Sequence, residues 1–305
     1  MPCRTAGCWP GNDLFNYYLG ANVTAAALTK TTISYPTTLA AGTAYAPGYD
    51  SAVLSELAPL GITPNPATGG QTFTTSLTAT GSLWADTVEQ LSGGTRPGFQ
   101  SALDYWNSFG FAPLTNIPFL FGLYPGLNGR TLGFANGSVA GNEGTFYRFV
   151  DNPGVMRQQE IALNGAVVRV PVTATTSADA LTSAELPIIQ GDPGIPVLSI
   201  HGIGDLFVPF SMDQLYDQMM IAHGEGDLFV SRAIREVTHC GYTTSELSSG
   251  FSALVTWIDT GKRPAGDNIL SPVAVSSPLF GCRFTDPTPG AHPEFKGVPC
   301  PPQSQ

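Results

Sequence analysis

Charge is scarce in this chain. Asp, Glu, Lys and Arg make up 12% of its 305 residues, about half the usual share. Basic residues are the scarcest, 13 Lys and Arg against 23 Asp and Glu, giving a net charge of −10. No basic cluster is present to neutralise phosphates, which argues against nucleic acid as a partner. No run of about 18 apolar residues occurs, so no transmembrane helix is expected. The opening, Met1-Pro2-Cys3-Arg4-Thr5, lacks the basic and apolar regions of a signal peptide. No internal repeat is found. The five cysteines, Cys3, Cys8, Cys240, Cys282 and Cys300, form no CxxC pair, which leaves a zinc site or redox motif with little support.

What is there points to a folded, loop-rich protein. Hydrophobic residues reach 42% and aromatics 10%, with 35 Gly and 26 Pro, a composition that excludes overall disorder. Weak charge with abundant Gly, Pro, Thr and Ser fits a secreted or extracytoplasmic protein. The odd cysteine count leaves at least one thiol unpaired within the chain. Cys282 and Cys300 bracket a Pro-rich tail. They are either a bridge, contributing about 3 kcal/mol in the chain-entropy model, or two independent thiols.

Composition divides the chain into residues 1–30, 31–190, 191–266 and a Pro-rich tail, 267–305. The first segment holds a helix signal: Asn12 or Asp13 can cap it, and Leu14, Tyr17, Tyr18, Ala21, Ala25 and Leu28 follow at helical spacing. Residues 31–190 read as irregular, with one helix from about Gly98 to Ser108. The Pro/Gly-broken aromatic run from Phe109 to Tyr124 is either core filler or the lining of an apolar pocket.

Residues 191–264 read as strand, turn, helix, strand, turn, helix. Pro196 to Ile200 is a buried strand. A helix from about Met212 to Ala222 starts at a capping box of Ser211 and Gln214, and Gly224 stops it. A second strand covers roughly Phe229 to Val237. The last helix opens with Thr243 and Glu246 and carries an apolar stripe of Leu247, Phe251, Leu254, Val255 and Ile258. Strands joined by such a crossover helix are parallel, and functional groups gather at their carboxyl ends. The loop His201-Gly202-Ile203-Gly204-Asp205-Leu206-Phe207-Val208-Pro209 leaves the first strand, and Thr238-His239-Cys240-Gly241-Tyr242 leaves the second. Asp205 and His239 can therefore meet, a carboxylate fixing the imidazole tautomer so that the other ring nitrogen is free as a general base. His201 reads as support for its turn. Cys240 is a poor candidate nucleophile, because sequence neighbours rarely reach usable geometry.

Here the sequence resembles the α/β-hydrolase superfamily. Members show HG-x-x-D-x-x-VP after a strand, with the acidic triad residue at the Asp, and the triad His after the next strand. The match runs from His201 to Pro209, places Asp205 and His239 in those roles, and continues into Cys240, Glu246 and Trp257-Ile258-Asp259-Thr260-Gly261-Lys262-Arg263-Pro264. It implies a parallel α/β sheet with a large cap at 31–190 and no dissociable cofactor. It also implies a hydrolase acting on a small-molecule ester or other acyl bond, with an apolar substrate. Residues 1–30 resemble, more weakly, the segment after the nucleophile helix.

The nucleophile itself is missing from the pattern. The family carries it on a G-x-S-x-G elbow before the acid, and no serine here has Gly at both −2 and +2. Asn136-Gly137-Ser138-Val139-Ala140-Gly141 has the wrong register, and Ser92, Ser108 and Ser248 have Gly at +2 only. The expectation is a C-terminal hydrolase portion whose N-terminal half lies elsewhere. A non-catalytic binding or accessory module derived from a hydrolase is the alternative.

Overall fold

A computed structural model of the chain describes residues 10–35, 46, 48–111, 114–122, 138, 140–151, 154–173, 189 and 191–301. Two compact units divide it, one of residues 1–91 and 106–189, the other of 92–105 and 190–305.

The first unit is built on α1 (Pro10–Thr29). The helix starts two residues before the expected cap, because proline suits a first helical turn: its fixed φ is preorganised and its missing N–H would have no partner there. Tyr17, Tyr18, Leu19, Ala21, Val23, Ala25 and Ala26 are all buried, so α1 is enclosed on most sides. Thr24 and Thr29 satisfy their hydroxyls on carbonyls one turn back. Around it lie α2 (Tyr49–Leu60), the antiparallel pair β1 (Ile62–Pro64) and β2 (Phe73–Thr75), α3 (Ala79–Leu91), the end of α4 (Phe99–Asn107), the pair β3 (Gly110–Phe111) and β4 (Leu114–Pro118), α5 (Phe119–Gly122) and α6 (Gln158–Ala166). The irregular reading of 31–190 thus missed α2, α3 and α6. The Thr80-Gly81 opening of α3 has poor helix propensity, and the buried Trp84, Thr87 and Val88 decide the matter through tertiary packing. Trp84 stacks on Phe121 at 5.4 Å and donates its indole N–H to the Ala21 carbonyl. Trp106, Phe109 and Phe119 form a second ring cluster, with centroids 4.7 to 5.9 Å apart. These rings fill the interior of the first unit, and the rest of the aromatic run, from residue 123, lies outside the described residues.

The second unit holds one parallel pair, β5 (Val197–Gly202) and β6 (Phe229–Ile234), in register from Val197↔Phe229 to Gly202↔Ile234. The crossover α7 (Ser211–Ala222) joins them, as the sequence reading expects. Alternation along the strands sends Val197, Phe229 and Ala233 into a core with Ile203, Phe210, Tyr216, Met220, Ile269, Val275 and Phe280. The opposite face meets α8 (Thr244–Thr260). A Cβ at Gly250 would stand 2.5 Å from Ile200 Cδ1, so a larger residue there would make the Ile200 side chain shift.

Two local expectations change. The Ser211–Gln214 capping box does not form: Phe210 is the N-cap, and Gln214 Nε2 donates instead to the Gly93 and Ile269 carbonyls. The Thr243–Glu246 box does form. The apolar stripe of α8 stays exposed at Leu247, Phe251, Val255 and Ile258, because the helix buries the neighbouring Glu246, Gly250 and Trp257 face.

The tail is part of the second unit's core. Cys282 and Cys300 are joined by a disulfide, and Arg235, just past β6, donates to the Phe280, Val298 and Pro278 carbonyls. Cys3 and Cys8 lie outside the described residues. Reducing the bridge, or the Cys300→Ser change, is expected to cost the second unit about 3 kcal/mol, read as a lower urea midpoint. An unchanged midpoint would show that the bridge adds nothing to the folded state.

Glu56 is fully buried in α2, and among the described residues neither carboxylate oxygen has a hydrogen-bond partner. Burial pushes its pKa from 4.5 to about 8, so at neutral pH it is protonated in the fold and ionised in the unfolded chain. The penalty is absent below about 4.5, and stability falls as pH rises from there toward 8, at up to ~1.4 kcal/mol per pH unit. Glu56→Gln is expected to remove that slope and to raise the first unit's melting temperature at the alkaline end. Identical pH profiles for both proteins would contradict this.

Candidate active site

Parallel pairing puts two loops at one sheet edge. The first leaves β5 and turns back at Gly204, whose N–H donates to the Glu236 carbonyl at 2.8 Å. A Cβ at Gly204 would sit 2.9 Å from that oxygen and from the Val237 Cα. A side chain here would force the loops apart. Asp205 comes next and is 3% exposed. Its Oδ1 accepts the Phe207 and Val208 N–H groups at 2.8 and 3.0 Å, an Asx-type turn that aims Oδ2 outward. His201, at the end of β5, donates Nε2–H to the Val208 carbonyl at 3.0 Å, the turn-supporting role expected of it.

The second loop leaves β6 and presents His239. Its Nδ1 lies 2.7 Å from Asp205 Oδ2, across 34 residues of chain. The Asp205 side chain is 4% exposed and the His239 side chain 39%, so the carboxylate is enclosed while the ring reaches the surface. The Phe207 ring stands edge-on to the imidazole at 4.9 Å and limits its rotation. Burial raises the Asp205 pKa, opposed by the bond to His239, the charge of His201 and the Val208 N–H. An ionised Asp205 takes the Nδ1 proton in its hydrogen bond and leaves Nε2 with its lone pair outward, the arrangement a general base requires.

Next to Nε2 stands a thiol. Cys240 Sγ is 3.6 Å away, and Cys240 is exposed. Its φ of 58° is a left-handed conformation costly for a residue with a Cβ. The sequence reading discounted Cys240 for its adjacency to His239, yet this backbone turn brings its sulfur to the base nitrogen.

Sequence reasoning missed several supporting groups. Tyr242 Oη accepts the Gly202 N–H at 3.1 Å and ties the His239 loop back to β5. Glu236, three residues before His239, accepts the Val237 and Thr238 N–H groups at 2.7 and 2.5 Å, and nothing in its spacing marked it. A cleft of about 600 Å³ lined by Asp217, Asp227, Phe229, Arg263, Asp267 and Leu270 opens at the amino end of β6. Parallel β/α units place chemistry at the other end, so it has no part in this site. Among the described residues, no group of three or more His, Cys, Asp and Glu could hold a metal ion, and no helix is long and apolar enough to cross a membrane.

Over 77 residues the chain is 33% identical to o-phthalyl amidase of Xanthobacter agilis, a stretch covering 25% of this chain and 17% of that protein. This similarity is to a small part of a protein with a hydrolase name. No family model and no solved structure matches the chain.

Asp205→Asn tests the dyad's electrostatics. The two backbone N–H groups claim the amide oxygen, so the new NH₂ must face His239 Nδ1. The imidazole is expected to switch to the Nε2–H tautomer, visible in ¹⁵N shifts of the His239 ring. Retention of the Nδ1–H form would show that Asp205 does not set the tautomer.

Proposed function

We propose that this chain carries the acid–base portion of an α/β-hydrolase acting on ester or amide bonds of small, apolar acyl substrates. The observation that carries this reading is the 2.7 Å bond between His239 Nδ1 and the buried Asp205, with the His239 ring reaching the surface. The parallel β5–β6 pair with its crossover helix and the partial similarity to an amidase support it. In this reading a serine on a G-x-S-x-G elbow, in a segment outside these residues, attacks the carbonyl. His239 takes the serine proton and returns it to the leaving group, and the same base then activates water to hydrolyse the acyl-serine. Asp205 orients the ring and stabilises its charged form.

A further hydrolase half fits two surface features. Among the described strands β5 has one neighbour, β6, although parallel sheets are covered on both faces and are rarely two-stranded. The apolar stripe of α8 is exposed beside it. The Cys282–Cys300 bridge and the low charge support an oxidising, extracytoplasmic setting.

A second reading makes Cys240 the nucleophile, favoured by its 3.6 Å approach to His239 Nε2. The test uses the purified chain with p-nitrophenyl acetate, a fluorophosphonate and iodoacetamide. The leading reading expects no hydrolysis above background and no fluorophosphonate label. When an elbow-bearing segment is joined, it expects activity that Asp205→Asn lowers by about 10⁴-fold and His239→Ala abolishes. Hydrolysis by the chain alone, lost in both His239→Ala and Cys240→Ser, would replace it with the thiol reading.

A further inference from the structure

The disulfide-closed loop between Cys282 and Cys300 delivers one side chain to the far side of the His239 loop. That side chain is His292, and its imidazole is 5% exposed. Nδ1 lies 2.5 Å from Glu236 Oε2 and Nε2 lies 2.8 Å from Glu246 Oε1. A ring that donates from both nitrogens to two carboxylates is an imidazolium. The two glutamates flank His239 in sequence. Glu236 Oε1 holds the Val237 and Thr238 N–H groups. Glu246 holds the Thr243 N–H at the start of α8 and the Asp286 N–H of the tail. The segment that bears the base is thus pinned at its entry and its exit, and both pins end on one ring.

We propose that His292 is a positioning residue for His239: by bridging Glu236 and Glu246 it fixes the span 236–246, and with it the aim of the His239 ring at Asp205. The consequence for catalysis rests on the reading of His239 as a base; the clamp itself does not. Arg235 reinforces the attachment. Its N–H donates to Thr285 Oγ1 and its guanidinium to three tail carbonyls, so consecutive residues 235 and 236 both hold the tail. The electrostatics agree. Burial pulls the His292 pKa down, and the bonds to Glu236 and Glu246 outweigh it, taking it from 6.5 to about 9. Burial pushes the two glutamates up, and the bond to His292 together with backbone N–H groups brings both below the ordinary range. The other titratable groups in play are Asp286, held low chiefly by its hydrogen bonds with Thr288 and in smaller part by His292, and Tyr105 of α4, pushed up by burial first and then by Glu294 and Glu236. A raised histidine pKa stabilises fully below about 6.5, and the contribution is lost as pH rises through about 9.

The test needs no turnover. His292→Ala and His292→Gln are made in the full chain, and amide exchange is followed together with the ¹⁵N and ¹H signals of the His239 ring. His292→Ala is expected to speed exchange at Val237, Thr238 and Thr243 by about 10²-fold, the scale of leaving buried charges without a partner. The His239 Nδ1–H resonance should broaden, and the β6 amides of Val230 to Ala233 should hold. His292→Gln, which can still donate, should fall between Ala and the natural chain. If His292→Ala does not fold, titrating the natural chain from neutral pH through about 9 should release the same amides. A uniform rise in exchange throughout the second unit would reduce His292 to a general stabiliser, and a folded variant with unchanged His239 signals would overturn the proposal. Released loop amides in a chain whose joined form never acquires His239-dependent hydrolysis would overturn the acyl-transfer reading and support the clamp.

Discussion

The candidate site depends on the parallel register of β5 and β6. Pairing Val197 with Phe229 and Gly202 with Ile234 brings both loops out at the same edge at the same height. A slip of one residue would turn Phe229 and Ala233 out of their core and Arg232 into it. Gly204 then lets the loops touch, and a carboxylate and an imidazole 34 residues apart in the chain come within 2.7 Å. The edge-on Phe207 ring and the Tyr242 hydroxyl on Gly202 then limit the freedom of this pairing.

A chain so poor in charge still buries several charged groups inside the second unit. Asp205, Arg232, Arg235, Glu236 and Glu246 are all buried. Burying ions is costly unless each is paired or hydrogen-bonded. Most of these groups meet that condition through partners in distant segments: Arg235 through three tail carbonyls, the glutamates through His292, Asp205 through His239 and two amides. The tail is therefore held by polar contacts in specific positions as well as by Phe280 and Phe295 in the core. Such contacts select one arrangement of the tail, since a shifted tail would leave several buried charges unpaired at once. Glu56 of the first unit lacks this compensation and becomes neutral instead.

The partial likeness to an amidase covers 17% of that protein, so chemistry at this site has to be argued from its own atoms. Those atoms are a buried carboxylate, the imidazole bonded to it and, 3.6 Å from the imidazole Nε2, a thiol. An oriented base is a component shared by serine and cysteine acyl transfer, and the nucleophile decides between them.

Sequence alone determined the local order around the site: a Pro- and Gly-bounded apolar strand, a crossover helix, a second strand and a capped last helix, with Asp205 and His239 in the following loops. Period, capping chemistry and turn residues act over a few positions and are readable from one. Other features came only with the tertiary structure. Helices α2 and α3 form because Trp84, Val88 and their neighbours find a core, which weak local propensity does not announce. The α8 stripe was legible as apolar, but the packing of the Glu246, Gly250 and Trp257 side decided which face is covered. His292 lies 46 and 56 residues from the glutamates it bridges, and the sulfur of Cys240 reaches its neighbour's ring through a left-handed φ. Such contacts are set by packing and backbone torsion between distant or strained positions, and no spacing in the chain encodes them.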